Sequence, residues 1–254
     1  MILIDTHAHL EGIKNLDEAL SRAKDAGVIA EITMGMDYSS NIWALQNSGV
    51  YSDALTVYPS LGIHPWVSIS LDNERFDDIL KLMNANLDKF VAVGEIGLDF
   101  WYREVRENEE ARTLQRRVFK EMLNFAREYD KPVSIHSRGA WKDCLEMVIS
   151  SNVEVAVFHW FSGPEEILKD LLDHGYYISA TPAAAYSKEH RRAISEAPLE
   201  NLVLETDSPV KYRGEISEPS WLIRCLEYVA EIKEIDIDII AKRTTQNARF
   251  IFKI

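Results

Sequence analysis

Cysteine is nearly absent: Cys144 and Cys225 are the two in 254 residues, far apart and in helical patterns. That argues against a disulfide framework and a cysteine metal site, and leaves both as buried, inert thiols. Glycine (11) and proline (8) are few, and no low-complexity run marks a linker, so one domain over 1–254 is expected. The opening MILIDTHAHL has neither a basic start nor an extended apolar stretch. It therefore argues against a signal peptide or membrane span and sets the expectation of a cytoplasmic protein. Positive charge is in deficit: 28 Lys and Arg against 41 Asp and Glu leave −13 at pH 7, which opposes generic binding to polyanions or acidic membranes. A phosphate-bearing substrate stays compatible with that balance, because bound cations can dominate the local field.

What is present is a rhythm. Eight short β-rich runs recur, ILID, VIAEITM, LTVYPSLGI, FVAVGEIG, PVSIH, VAVFHW, YYISA and LVLET, with helical patterns between them. One such pattern places Leu114, Val118, Met122, Phe125 and Ala126 at three- and four-residue spacing beside Arg116, Arg117, Lys120 and Glu121, an amphipathic covering helix. Strands alternating with helices imply parallel pairing, and eight units predict an α/β fold closed as a TIM (β/α)8 barrel rather than a doubly wound open sheet. The stretch from Ser217 to Ile254 adds two C-terminal helices that complete the outer ring.

In such a barrel, catalytic groups stand at the C-terminal ends of strands. His7 and His9 follow the first run, Glu95 the fourth, His136 the fifth, His159 the sixth and Asp207 the eighth, so six ligand-type side chains converge on one mouth. Alternation puts His7 and His9 on one strand face, able to pinch one cation, with Thr6 and Ala8 turned away. An HxH pair alone is a weak signal; here five of seven histidines, His64 included, follow predicted strands. His174, before Gly175 at a helix end, and His190, in the charged run 188–192, read as structural or solvated.

Six donors exceed what one tetrahedral zinc takes and suit two divalent ions sharing a carboxylate. Glu95 is the natural bridge, with Gly94 and Gly97 beside it where backbone could crowd the ions, and with Val91, Val93 and Ile96 favouring an interior position over a surface one. Asp207, two residues before Pro209, would bind metal and take a proton; a helix N-cap is its competing role. Mixed histidine and carboxylate donors accept magnesium, manganese, cobalt or zinc. His64, Arg103 and Arg138 offer hydrogen-bond donors for a phosphate, surface ion pairs being the alternative for the two arginines. Trp66, Trp101 and Trp160 follow strand ends, where they could stack bases or simply pack the rim.

The motifs DTHAHL, GIHP, GEIGLDF, IHSR, HWFSG and ETDSP, in that order, with the later ISEPSWL and TTQNARFIF, resemble the TatD family of metal-dependent deoxyribonucleases over nearly the whole chain. The resemblance implies that His7, His9 and Asp207 bind one divalent ion, that His136 and His159 bind a second, and that Glu95 bridges them. Related amidohydrolase barrels often bridge their metals with a carboxylated lysine, whose place Glu95 takes. Trp160 departs from the small residue or cysteine common in that family segment, which bears on substrate fit.

The expected activity is hydrolysis of a phosphodiester by water activated at two divalent ions, with Glu95 and Asp207 as the catalytic acids. The substrate would be single-stranded DNA or RNA ends, digested as by a 3'-5' exonuclease, because a terminus must enter a concave mouth that lacks a basic surround. No membrane and no obligatory protein partner are implied. An ester or amide hydrolase, such as a deacylase on charged RNA ends or a lactonase, would use the same centre. A silent metal-binding scaffold is the reading from another class, and intact donors at all six positions speak against it.

Overall fold

The computed structural model describes residues 1–52 and 55–254. Along the chain run β1 (Leu3–Ala8), α1 (Leu16–Asp25), β2 (Val28–Met34), α2 (Tyr38–Gln46), β3 (Gly49–Ser52), β4 (Leu55–Leu61), α3 (Pro65–Ser68), α4 (Asn73–Asn84) and β5 (Ala92–Gly97). There follow α5 (Glu109–Glu128), β6 (Val133–His136), α6 (Trp141–Ser150), β7 (Ala156–Phe158), α7 (Glu165–Asp173), β8 (Tyr177–Ala180) and α8 (Lys188–Glu196). The chain closes with β9 (Leu202–Leu204), the short hairpin β10 (Lys211–Tyr212) and β11 (Glu215–Ile216), α9 (Leu222–Lys233) and α10 (Ile237–Phe252).

The eight expected strands pair in parallel in the order β1-β2-β4-β5-β6-β7-β8-β9, giving a nearly closed barrel with helices between the strands. Strand β3 is not among the expected runs. It lies antiparallel on the first half of β4, from Val57 back to Leu55, whereas β5 pairs with β4 only at Ser60 and Leu61. The offset between β4 and β5 leaves early β4 groups free, and β3 takes them up.

The seam between β1 and β9 is closed by side chains and loop backbone. The Thr6 hydroxyl donates to Leu204 O (3.0 Å), Thr206 N–H donates to Asp5 Oδ1 (3.0 Å), and the Thr206 hydroxyl donates to Asp5 Oδ2 (2.5 Å). At the mouth Asp207 N–H donates to His7 O (2.9 Å) and His9 N–H to Ser208 O (2.7 Å). The C-terminal helix α10 covers this seam: Asn247 Nδ2 donates to Leu199 O and Leu202 O (both 2.8 Å), and the Thr245 hydroxyl to Ile2 O (2.7 Å).

Helix α5 illustrates how the shell forms. The Asn108 side chain accepts from Ala111 N–H at its start, Glu109 and Glu110 occupy the first turn, and Arg127 lies in the last, as the helix dipole favours. Val118, Phe119, Met122, Leu123, Phe125 and Ala126 are buried, each large apolar group contributing about 1.5–3 kcal/mol. Leu114, expected in that stripe, is half-buried, and Gln115 is buried instead. The reason is polar: Gln115 Oε1 accepts from Asp99 N–H and its Nε2 donates to Pro65 O, both at 3.0 Å, so it holds two mouth loops together.

One level below His7 on the same strand face is Asp5, whose register partner on β2 is Glu31. Both are fully withdrawn from water, and neither Glu31 oxygen meets a donor among the described residues. Burial pushes Asp5 up to about 7 and, with the Asp5 carboxyl beside it, pushes Glu31 well above its ordinary value. Among the described residues no helix is long and apolar enough to cross a membrane.

Candidate metal centre

The six expected donors meet around one carboxylate. Glu95 lies inside β5, not after it, and is 1% exposed. Its two oxygens face different groups. On the Oε2 side stand His9 Nε2 (3.3 Å) and His7 Nε2 (3.5 Å), which are 3.4 Å from each other and 3.6 and 3.7 Å from Asp207 Oδ1. On the Oε1 side stand His136 Nδ1 (2.7 Å), His159 Nε2 (2.8 Å) and His64 Nε2 (3.5 Å), with His136 Nδ1 and His159 Nε2 separated by 3.3 Å.

These separations test the fit to metal. Donors bound tetrahedrally at about 2.0–2.1 Å stand about 3.3–3.4 Å apart, the spacing seen here between the paired nitrogens (3.4 and 3.3 Å) and between His9 and Glu95 Oε2 (3.3 Å), while His136 and His159 close on Oε1 to hydrogen-bond distance. Donor atoms of His7, His9 and Glu95, and of His64, Glu95 and His136, lie within 4.8 Å of one another. The chemistry of the set, imidazoles and carboxylates without thiol, suits a divalent cation; Cys144 and Cys225 are buried and free, apart from it.

Backbone positions these groups. His7 is the fifth residue of β1, and His9, one residue beyond the strand, returns to the same face. Gly94 and Gly97 sit where β5 meets β6. A Cβ on Gly94 would fall 2.7 Å from Ser134 Cβ, and one on Gly97 (φ +140°) would fall 2.0 Å from His136 O. Their lack of side chains lets β5 press against β6 and so brings Glu95 to His136. Asp207 sits at φ +49°, a conformation costly for a residue with a side chain, held by its own N–H bond to His7 O and flanked by the bond from His9 N–H to Ser208 O. It caps no helix.

Electrostatics follow from burial and company. Burial would raise the Glu95 carboxyl, but the charges of His64, His159 and His7 and the hydrogen bond from His136 hold it well below its ordinary value. Burial would lower His136, yet bonds to Asp99 and Glu95 raise it; His159 is raised further by Glu95 and Glu205 against the same penalty. Burial raises Asp207 despite the nearby histidines.

The sequence did not single out the residues behind the histidines. Asp99, buried, accepts from His136 Nε2 (3.0 Å), Arg138 Nη2 (2.8 Å), Trp66 Nε1 (2.6 Å) and the backbone N–H of Trp101 and Tyr102 (3.1 and 3.0 Å). Burial opposes ionisation there, but those donors hold Asp99 well below the usual carboxylate range. Glu205 Oε1 faces His159 Nδ1 (3.3 Å) and accepts from Trp160 N–H (3.1 Å). The signal available was an acidic residue in an apolar run beside a proposed donor, in GEIGLDF and in LETDSP.

The expected phosphate holders separate. His64 is 3% exposed and belongs to the inner ring: it caps the turn begun by Pro65, accepting Trp66 N–H at Nδ1 (3.1 Å), which aims Nε2 at Glu95. Burial pushes it down to about 4. Arg138 is half-exposed beside Asp99, with its guanidinium 5.6 Å from the Trp66 ring centre. Arg103 is exposed and, among the described residues, pairs with none of these groups. His174 caps the end of α7, with Nδ1 donating to Asp170 O (2.8 Å). His190 is buried and ties two mouth loops together, Nδ1 donating to Phe161 O (2.8 Å) and Nε2 accepting from Thr181 N–H (3.0 Å).

The chain is similar to known proteins along its whole length. Bacillus subtilis YabD, an uncharacterized metal-dependent hydrolase, is 30% identical over the full length of both chains. Human deoxyribonuclease TATDN3 is 29% identical over 98% of this chain and 94% of its own. The crystal structure of Escherichia coli YjjV, a TatD homolog, superposes with a TM-score of 0.88 at 26% identity, covering 99% of this chain and 98% of that one. The model of the TatD related DNase family matches residues 4–253, and the chain therefore belongs to that family.

Proposed function

We infer that the protein is a metal-dependent hydrolase of phosphodiesters, a deoxyribonuclease that shortens single strands from their 3' ends. One observation carries the reading: the two oxygens of Glu95 each face a separate group of donors, His7, His9 and Asp207 on one side, His136, His159 and His64 on the other. His7, His9 and Asp207 would hold one divalent ion, His136 and His159 the other, with Glu95 shared between them. Bound there, the ions supply Lewis acidity and lower the pKa of water.

The chain's own groups do the rest. Asp207 Oδ accepts the proton of the attacking water and returns one to the departing oxygen. His64, its Nε2 turned to Glu95, and Arg138, held by Asp99, orient the phosphoryl oxygens. The names of the relatives, metal-dependent hydrolase and deoxyribonuclease, support this substrate class.

The test uses chelated protein and an end-labelled single-stranded DNA oligonucleotide, with magnesium, manganese or zinc restored and Glu95→Ala as control. Stepwise shortening that needs metal and fails in the variant is expected, and the labelled end reports polarity. Metal binding without cleavage of any oligonucleotide would overturn the nuclease reading and turn attention to carboxyl esters.

A further inference from the structure

Three tryptophans stand at the mouth, and two are committed to packing. Trp66 donates Nε1–H to Asp99, stacks on Tyr102 (centroids 5.0 Å apart, planes 18° apart) and lies beneath the Arg138 guanidinium. Trp160 is half-buried, tilted against Tyr212 at 5.3 Å, and bound through its N–H to Ser179 and Glu205.

Trp101 differs. It is 59% exposed, against 39% for Trp66, so more of its indole is available to a ligand. Its position is nonetheless fixed. The five-membered ring lies against Gly139, where a Cβ would fall 2.4–2.7 Å from Cδ1, Nε1 and Cγ, so this approach requires glycine. The ring also meets Trp141 at 5.2 Å with planes 89° apart, and Trp141 in turn fills the space a Cβ on Gly163 would take, 2.6 Å from its Cγ. Two glycines and a second indole thus hold Trp101 in place while more than half of its surface stays in solvent.

The platform is also tied to the centre. Trp101 N–H donates to Asp99 Oδ1 (3.1 Å), while Asp99 Oδ2 faces His136 Nε2 (3.0 Å) and Arg138 Nη2 (2.8 Å). One carboxylate therefore sets the exposed indole, the half-exposed guanidinium and a central histidine relative to each other. A flat, sequence-tolerant stacking surface beside a cation is what an unpaired nucleobase and its phosphate need.

We propose that Trp101 is the stacking platform for a nucleobase adjacent to the scissile phosphodiester, with Arg138 facing the neighbouring phosphate. This rests on the nuclease reading. It makes the preferred substrate a strand with an unpaired base at one defined position from the cut.

The experiment compares metal-loaded wild type, Trp101→Ala and Trp101→Phe on oligonucleotides carrying a single abasic residue moved along the terminal positions. The phosphates stay the same and one base is lost. For wild type, one abasic position should raise KM about tenfold, the scale of a single base–aromatic stack. Trp101→Ala should show the same rise on the intact strand, little change in kcat and no added penalty from the abasic residue, with Trp101→Phe intermediate. Anisotropy of a labelled oligonucleotide on Asp207→Asn, with and without Trp101→Ala, should show the same loss of affinity without turnover, and unchanged melting temperatures should exclude misfolding. An unchanged KM in Trp101→Ala, or a penalty equal to wild type at every abasic position, overturns the platform alone. Failure of wild type to cut any strand overturns the nuclease reading and the platform with it.

Discussion

Glu95 and Glu31 are equally withdrawn from water, 1% and 0% exposed, inside the same barrel. Burial pushes both carboxyls up. Around Glu95, histidines from four loops and strands reverse that penalty, and the group stays charged. Beside Glu31 the titrating neighbour is a second acid, Asp5, and among the described residues no donor reaches its oxygens, so the proton is retained. Depth is the same in both places; the neighbours decide whether a buried acid is an anchor for cations or a neutral filler.

The largest effect should come from Glu95→Gln, which keeps the volume and removes the charge between the two donor groups. Activity should fall on the order of a thousandfold or more, and the rise in melting temperature on adding metal should vanish, as thermal scans with and without chelator will read. Asp207→Asn should follow, with kcat down by roughly 10²–10⁴ and KM within a few-fold in steady-state kinetics; retained turnover would remove Asp207 as the proton acceptor. Asp99→Asn tests whether the acid behind a histidine matters. Chelator competition should show metal affinity about 10–100-fold weaker.

Glu31→Gln should have the smallest effect and the opposite sign. Folded Glu31 keeps its proton above its ordinary value of 4.5, where the unfolded chain loses it. The folded state then binds more protons, and this position lowers stability increasingly as pH rises past that value. Gln removes the penalty, so the variant should melt higher than wild type at pH 8 and by a smaller margin at pH 5, each kcal/mol being worth about 2–4 °C at this size. A Glu31→Gln protein as inactive as Glu95→Gln would break the contrast.

The strands were legible because barrel strands are short apolar runs between amphipathic helices, and the donors because they recur where those runs end. His7 and His9 declare a shared face by spacing alone. Asp99 and Glu205 show only an acidic residue in an apolar run, and Gln115 not even that; which partner each meets is settled only once strands and loops come together. His64 reads from the sequence as a phosphate donor only, because sequence cannot show that the Pro65 turn aims its Nε2 at Glu95 as well. The three tryptophans look alike in the sequence for the same reason: which one is held against Gly139 and left exposed is decided by the fold.

The seam joining β1 to β9 bears on how the protein is made. His64, Glu95, His136 and His159 fall within 95 residues of one another, whereas His7 and His9 precede Asp207 by 200 and 198 residues. A nascent polypeptide can gather the one set of donors as soon as His159 has been synthesised; the other set cannot exist until Asp207 has followed. Maturation of the two halves is thus ordered in time by the position of one aspartate in the message.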